Sequence, residues 1–396
     1  MGRPSVSAGV GLCQVEDGYL AYSASGGVMH ELNPVGALIV ELCDGTRTEE
    51  EIAGLAAGAV PGEKPEAAVM QFIAEGLANG LLVEGEGTAQ AARFMDAEEL
   101  RAAGDELWKT DLSEAALKVT RRYTEMEPEN LRGWWALGDR AYFLKNRDLT
   151  IEAYRRYLQL NPEDDAIRQI LTGLEGGTPP ERCSDRCITL IFENFAADYD
   201  TRMRESLQYQ GPERVEEVLA AHLGGRGELE ILELGCGTGL TGAVLKRRAK
   251  RLVGVDLSPA MVENARALGV YDAIELGEIH AWLEGAGSNF DLIVSMDCLV
   301  YVGDLKRITE LAARRLNPGG WLAYSVEKGE KYPLVLEGTG RYKHHREHIA
   351  EAANAAGLEM VELREFLLRY EFEEGVMGWL ALMRKPPAEL AGDPGV

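Results

Sequence analysis

Positive charge is scarce in this chain: 41 Lys and Arg stand against 65 Asp and Glu in 396 residues, a formal net charge of -24. Binding to a phosphate backbone relies on Lys and Arg releasing counterions, so nucleic acid is excluded as a partner and a neutral or basic one fits better. No uninterrupted apolar run approaches the roughly 20 residues needed to cross a bilayer, which argues against a membrane helix. The start Met-Gly-Arg-Pro-Ser-Val-Ser lacks the features of a secretory signal, and the protein is expected in the cytoplasm. Cys13, Cys43, Cys183, Cys187, Cys236 and Cys298 show no paired framework, as for thiols kept reduced. Cys183 and Cys187 form a C-x-x-x-C pair, but no two further ligands stand at comparable spacing and no metal is expected. The length exceeds what one core usually supports and implies two or three domains.

Glycine is plentiful by contrast, and its placement at 231–239 is the most informative feature. Ile-Leu-Glu-Leu-Gly-Cys-Gly-Thr-Gly joins an apolar strand to a helix through a backbone almost bare of side chains. Gly235, Gly237 and Gly239 each allow a positive φ or a close approach, so a ligand can lie against the main chain. A dinucleotide fingerprint would need its third glycine at 240, where Leu240 stands, and this counts against NAD. The segment Arg251-Leu-Val-Gly-Val-Asp256 then reads as a second apolar strand ending in a carboxylate that suits the two hydroxyls of a ribose.

At these residues the chain resembles the class I S-adenosylmethionine-dependent methyltransferases, over roughly residues 190–386. The resemblance implies an α/β Rossmann-like domain with a seven-stranded, mostly parallel sheet. It also implies S-adenosylmethionine as cofactor and S-adenosylhomocysteine as product. Glu233 with the loop Gly235, Cys236, Gly237 and Gly239 would hold the methionine moiety, Asp256 the ribose, and Glu278 with Ile279 would frame the adenine. Leu257, Met261 and Met296 complete the expected cofactor set. Alternating apolar strands and amphipathic helices from Cys183 onward agree with such a sheet. Strands are expected at 231–234, 251–256, 273–276, 290–294 and 320–325, with a final hairpin in 365–385 that turns at Glu373-Glu-Gly375.

On the acceptor side, Ser295-Met296-Asp297 and Cys298-Leu-Val-Tyr301 place Asp297 and Tyr301 at the mouth of the pocket. Either can take a proton from a nitrogen or oxygen nucleophile. Asp297 has a second reading, in which it shapes the loop or holds the methionine amino group. Phe195-Ala-Ala-Asp-Tyr-Asp200, with Tyr209 and Pro212, resembles the helical lid of methyltransferases that carry tetratricopeptide repeats. Tyr199 would close over the cofactor and Tyr209 would face substrate, or both are ordinary lid-core residues. An Arg-Tyr-x-His phrase of the same group is matched at Arg341, Tyr342 and His344. It reads as a substrate loop, with His344 as base and Arg341 as carboxylate clamp, or with His344 only capping the next helix. His280 and Trp282 read as surface and core residues.

The middle segment repeats itself at an offset of 34 residues: Gly104 falls on Gly138, Arg121-Arg122-Tyr123 on Arg155-Arg156-Tyr157, and Pro128-Glu129 on Pro162-Glu163. This period, with Trp134, Leu137 and Gly138 opening the second unit, resembles the tetratricopeptide repeat. Two helical hairpins over 91–178, capped by a helix at about 165–174, make a short stack that should lean on a neighbouring domain. The stack either binds peptide or spaces the flanking domains. Glu175-Gly-Gly-Thr-Pro-Pro180 reads as a linker.

The first 90 residues form another unit. Strands at 18–23 and 28–32 flank Gly26-Gly27, Asn33 and Pro34 start a helix that stops at Asp44-Gly45, and Thr48 with Glu51 forms a capping box. A third helix over 65–79 should bury Val69, Phe72, Ile73 and Leu77, and Leu81-Leu-Val-Glu84 returns as a strand. With His30-Glu-Leu-Asn-Pro34 and Leu42-Cys-Asp-Gly-Thr46, residues 8–86 resemble the small winged-helix α+β domain of the pyrroloquinoline quinone biosynthesis chaperone D family, the recognition element of ribosomally made, modified peptides. The resemblance implies a leader peptide added as a strand along Val28, Met29, His30, Glu31 and Leu32, lying against the third helix at Met70 and Ile73. A domain serving only packing or homodimerisation is the alternative. DNA binding by this winged helix is disfavoured by the 13 acids against 3 bases in the first 90 residues.

Three readings result. The first is a cytoplasmic methyltransferase that recruits a precursor peptide by its leader and methylates the core. The second keeps the chemistry on a small metabolite or mature protein. The third is a peptide chaperone that only senses the cofactor. The tail from Pro386 is expected to be disordered.

Overall fold

A computed structural model describes residues 2–23, 28–85, 92–110, 112–196 and 198–387. The expected Gly26-Gly27 turn and nearly all of the tail lie outside the described residues. Contacts divide the chain between Pro162 and Glu163 into two units.

The first unit opens with β1 (Pro4–Val6), β2 (Gly11–Val15), β3 (Gly18–Ser23) and β4 (Val28–Leu32). Then come α1 (Pro34–Leu42), α2 (Glu49–Ala56), α3 (Pro65–Ala78), β5 (Leu82–Glu84) and β6 (Arg93–Phe94). Its helix starts are written in the sequence: Asn33 accepts from the Gly36 amide with Pro34 in the first turn, and Thr48 with Glu51 closes a capping box. Such caps satisfy orphan amides and contribute about 1 kcal/mol each. β1 pairs with β5, and a separate sheet runs β4-β3-β2-β6, which leaves β4 at one edge. Strands β1, β2 and β6 were not expected.

This small sheet is covered on both faces. Leu12, Ala21 and Leu32 face the core of α1–α3 with Ile39, Ile52, Val69 and Ile73. Cys13, Leu20, Tyr22 and Met29, one residue out of phase, face α4 (Ala97–Trp108) and α5 (Ser113–Met126). The period of two along a strand sends neighbours to opposite sides. α6 (Leu131–Phe143) packs on α7 (Arg147–Leu160) as α4 packs on α5. The 34-residue offset acquires a physical meaning here. Gly104 lies against Thr120 and Gly138 against the Tyr154 ring, so each helix pair crosses at a glycine with its partner sixteen residues on. The first of these hairpins leans on the neighbouring sheet.

The second unit begins with α8 (Asp165–Glu175), the helix expected to cap the repeats, which belongs here instead. Gly173 lies against the Glu337 carbonyl, and the Gln169 amide donates to the Gly340 carbonyl. Next come α9 (Asp185–Phe195), α10 (Tyr199–Thr201) running into a π turn over Arg202–Ser206, and α11 (Gly211–Leu223). The alternating part is β7 (Leu229–Leu234), α12 (Leu240–Leu245), β8 (Ala249–Asp256), α13 (Pro259–Leu268), β9 (Ala273–Leu276), α14 (Ile279–Gly285), β10 (Phe290–Ser295), α15 (Leu305–Arg315) and β11 (Leu316–Lys328). β12 (Leu334–Leu336), β13 (Tyr342–His344), α16 (Arg346–Ala355), β14 (Glu359–Glu371) and β15 (Glu374–Arg384) complete it.

The sheet holds nine strands, not seven. Seven run β9-β8-β7-β10-β11-β15-β14, parallel as far as β11 and with β15 antiparallel between β11 and β14. The extra two come from the segment expected to be a substrate loop: β13 adds parallel to the end of β11 at Glu327 and Lys328, and β12 folds back on it. The closing hairpin turns at Phe372 and Glu373, both at positive φ, one residue earlier than expected. Apolar residues alternate across the sheet. Leu232, Leu234, Val253 and Val255 meet α14–α16, while Ile231, Leu252, Leu292 and Val294 meet α11 and α12. The winding reverses between β7 and β10, where such sheets open a crevice at their carboxyl ends.

Candidate active site

The loop after β7 is shaped by backbone hydrogen bonds to β8. The Gly235 and Cys236 amides both donate to the Val255 carbonyl, at 2.8 and 3.0 Å, and the Gly237 amide donates to Asp256 Oδ2 at 2.8 Å. Gly235 has φ +66° and lies against the Cys298 thiol, so a side chain would be excluded twice over. Gly237, at φ +54°, has nothing within 4 Å of where a Cβ would stand. That space is the crevice itself, and a side chain there would occupy it.

The crevice opens to solvent, and its empty space together with that at its mouth is about 700 Å³. Nine of the residues expected around a cofactor line it: Tyr199, Gly235, Gly237, Asp256, Leu257, Met261, Glu278, Ile279 and Met296. Asp297 and Tyr301, expected at the mouth of the pocket, line it too. Arg182, Ile188, Phe192, Cys298 and Val302 were not foreseen. Ile188 and Phe192 stand four apart on α9, a spacing that places them on one helix face, and this signal was available in the sequence. Arg182 arrives through a bridge to Val302, a tertiary event with no sequence signature.

Several expected residues lie elsewhere. Glu233 is buried below the loop, where it accepts from the Tyr271 hydroxyl at 2.8 Å; burial pushes its carboxyl up to about 8 against the opposing effect of that bond. Cys236 and Gly239 pack against Gly254 and against Leu268 with Tyr271, and Tyr209 packs over Gly211. None of the four lines the crevice among the described residues. Arg341, Tyr342 and His344 depart furthest from expectation. Arg341 is tied to Glu327 and Glu371, and the Tyr342 hydroxyl donates to the Pro180 carbonyl at 2.7 Å. His344 is fully buried with Nε2 at 2.9 Å from the Val302 carbonyl, and burial lowers it to about 4. The reason is their strand: alternation in β13 turns Tyr342 and His344 inward, so they brace the crevice wall and do not face a substrate. The helix cap at this place is His345, not His344.

Asp256 accepts from the Gly237 and Ser258 amides, and burial raises its pKa despite those bonds. Glu278 caps α14 through the Ala281 amide and pairs with His280 Nδ1 at 2.6 Å. Burial raises it, but these bonds outweigh burial and hold it at about 2. His280 is therefore a buried partner of the crevice wall. Phe192 meets the Tyr199 and Tyr301 rings edge-on at 6.1 and 5.7 Å, an aromatic wall suited to a cation. The lid segment is pinned by Thr238 to Asp200 and by Asn264 to the Ala196 carbonyl. Main-chain glycines, an acid for hydroxyls, an apolar slot and aromatic faces fit a sulfonium nucleoside.

In the first unit, β4 pairs with β3 from Val28 opposite Ser23 to Leu32 opposite Tyr19. Glu31 is exposed and pairs with Lys118, and His30 has a buried Nε2 that takes no hydrogen-bond partner among the described residues. Leu32 and Ile73 fill the core and are unavailable to a ligand; Met29 and Met70 are half-buried. Among the described residues, no helix is long and apolar enough to cross a membrane.

Residues 232–324 match the methyltransferase domain family, and residues 18–82 match the family of coenzyme PQQ synthesis protein D. A ubiquinone biosynthesis O-methyltransferase of Bordetella avium is 29% identical over 168 residues, 37% of this chain and 67% of that protein. One from Xylella fastidiosa is 32% identical over 100 residues, 24% of this chain and 41% of that protein. The chain thus spans about two thirds or less of the curated relatives it matches. Among solved structures, magnesium protoporphyrin IX methyltransferase of Synechocystis PCC 6803 with bound S-adenosylhomocysteine is 16% identical, with TM-score 0.41, covering 51% of this chain and all of that one. An N-methyltransferase of Bradyrhizobium japonicum with the same ligand is 21% identical, with TM-score 0.41, covering 50% of this chain and 98% of that one. By its family matches, this chain carries a methyltransferase domain together with a PqqD-type domain.

Proposed function

We propose that this protein is a cytoplasmic methyltransferase of a ribosomally synthesised precursor peptide, recruited by its leader to the PqqD-type domain. The observation that carries the reading is the presence, in one chain, of a methyl-transfer crevice and a PqqD-type domain whose strand β4 ends its sheet at an edge. An edge strand offers unpaired main-chain groups to an added strand, and side-chain pockets supply selectivity. The winged-helix description of this domain, the tetratricopeptide character of α4–α7 and the use of those helices as a spacer belong to the same reading, and a homodimer is compatible with it.

In the crevice, Gly235 and Gly237 present main chain to the methionine part, Asp256 takes the ribose hydroxyls, and Leu257, Glu278 and Ile279 hold the base. Met261 and Met296 supply apolar contact, and Tyr199 closes the lid side. S-adenosylmethionine supplies an electrophilic methyl on sulfur. The chain's own task is to align the acceptor and keep the site dry, with Asp297 and Tyr301 on the acceptor side. Glu233, Cys236 and Gly239 support the loop from below. The names of the curated relatives favour one rival, O-methylation of a small metabolite with the first unit serving assembly.

Mass spectrometry of a candidate precursor, incubated with enzyme and cofactor with and without its leader, separates them. A one-methylene gain that depends on the leader is expected. Equal modification of the leaderless core would refute recruitment.

A further inference from the structure

Behind the acceptor side lies a buried ionic cluster that no sequence motif announces. Arg369, on β14, is 3% exposed and forks three ways: Nη1 to Asp297 Oδ1 at 2.6 Å, Nε to Glu371 Oε1 at 2.7 Å, and Nη2 to Glu327. Arg341 adds Nε to Glu327 Oε1 at 2.7 Å and Nη2 to Glu371. Two guanidinium groups therefore face three carboxylates. Glu327 and Glu371 are each held by both arginines, whereas Asp297 is held by Arg369 alone. Asp297 is also the one member of the cluster that lines the crevice, and its Oδ2 takes no hydrogen bond among the described residues. The surplus negative charge is thus delivered to a single carboxylate oxygen on the acceptor side. Its backbone is fixed as well: Asp297 sits at φ +53°, and its amide donates to Ser325 Oγ at 2.8 Å.

We propose that Arg369 is a positioning residue that orients Asp297 as the proton acceptor of methyl transfer, with Glu327 setting the opposing charge. The inference rests on the methyltransferase reading and goes beyond it by choosing between base and amino-group holder for Asp297. It also restricts the acceptor to a nitrogen, oxygen or sulfur that carries a proton. In the step, the acceptor lone pair forms the bond to the methyl carbon, and the carbon–sulfur bond breaks with its electron pair left on sulfur. The acceptor proton passes to Asp297 Oδ2. Charge balances: the sulfonium cation and the carboxylate anion are both neutralised.

The groups facing Asp297 come from every neighbouring element. β14 brings Arg369 and Glu371, β11 brings Glu327, and the segment before β13 brings Arg341. The lid side brings Tyr199 and Tyr209, and the turn after β10 brings Tyr301. Burial raises the Asp297 carboxyl to about 6, with Arg369 and Arg341 opposing and Glu327 and Glu371 reinforcing. A base of this kind works when ionised, so the rate should fall as pH drops through that value.

Two substitutions move it in opposite directions. Arg369→Gln removes the opposing cation and should shift the Asp297 titration to higher pH; Glu327→Gln removes a reinforcing anion and should shift it lower. Arg369→Lys keeps the charge but loses the fork, and should retain the titration while lowering turnover at least tenfold. The carboxyl is followed by carbon-13 NMR in the full chain without acceptor, assigned with Asp297→Asn, and circular dichroism checks folding. Opposite shifts, matched by the acid limb of the rate, are expected. An unmoved Asp297 titration in the folded variants overturns the inference. Opposite shifts in a protein that fails to methylate the precursor would support the cluster's role and retire the peptide reading alone.

Discussion

Asp256 carries two demands at one carboxylate. Its oxygens accept from the Gly237 and Ser258 amides, so it braces the glycine loop while ending β8 at the crevice. Asp256→Asn would set an amide donor against one of those backbone donors and remove the charge offered to ribose hydroxyls. Charge-assisted hydrogen bonds contribute about 1.5–3 kcal/mol each, so affinity for S-adenosylhomocysteine should fall at least about 10-fold in calorimetry. Affinity within twofold of the parent would leave Asp256 a brace only. Glu233 shows the reverse: the sequence placed it correctly at the end of β7, but the Tyr271 hydroxyl turns its carboxylate to the underside of the loop.

Elements explain the largest departures from expectation. Arg341-Tyr342-Lys343-His344 looks like a polar loop in sequence because it mixes charge and aromatic rings. In the structure it pairs with the end of β11, and pairing turns every second side chain inward. α8 meets this added hairpin at Gly173, where a Cβ would collide with the Glu337 carbonyl. Helix propensity alone would make Gly173→Ala stabilising by about 1 kcal/mol. Backbone cannot yield as a side-chain end can, so the expected result is destabilisation of about 2 kcal/mol or more in denaturant unfolding. A stabilised variant would show that α8 is not held against this hairpin.

Recruitment through a leader is a statement about the whole molecule. A tethered core gains effective concentration without any new contact at the crevice, by up to about 100-fold or more where the linker spans the sites. Leader supplied as a separate peptide should then leave a leaderless core at its slow rate, measured by methyl incorporation from labelled cofactor. Restoration in trans would mean that the leader activates the enzyme and does not merely tether the core. The excess of acids in the first 90 residues suits a leader that is neutral or basic.

Local chemistry made much of this protein legible in advance. The glycine loop, the acid closing β8, the caps at Asn33 and Thr48 and the 34-residue offset all depend on neighbours within a few residues or one repeat, and composition records such constraints directly. The crevice wall was readable to the same extent: Asp256 ends β8, Glu278 caps α14, and Met296, Asp297 and Tyr301 follow within six residues of the end of β10, elements whose positions the apolar pattern sets. Only tertiary structure decided which charged groups meet. Arg369 reaches Asp297 from 72 residues away, and Glu327 from 42. Such pairs form because sheet order brings strand ends together and burial leaves each charge no partner but another, and neither condition leaves a mark on the linear chain.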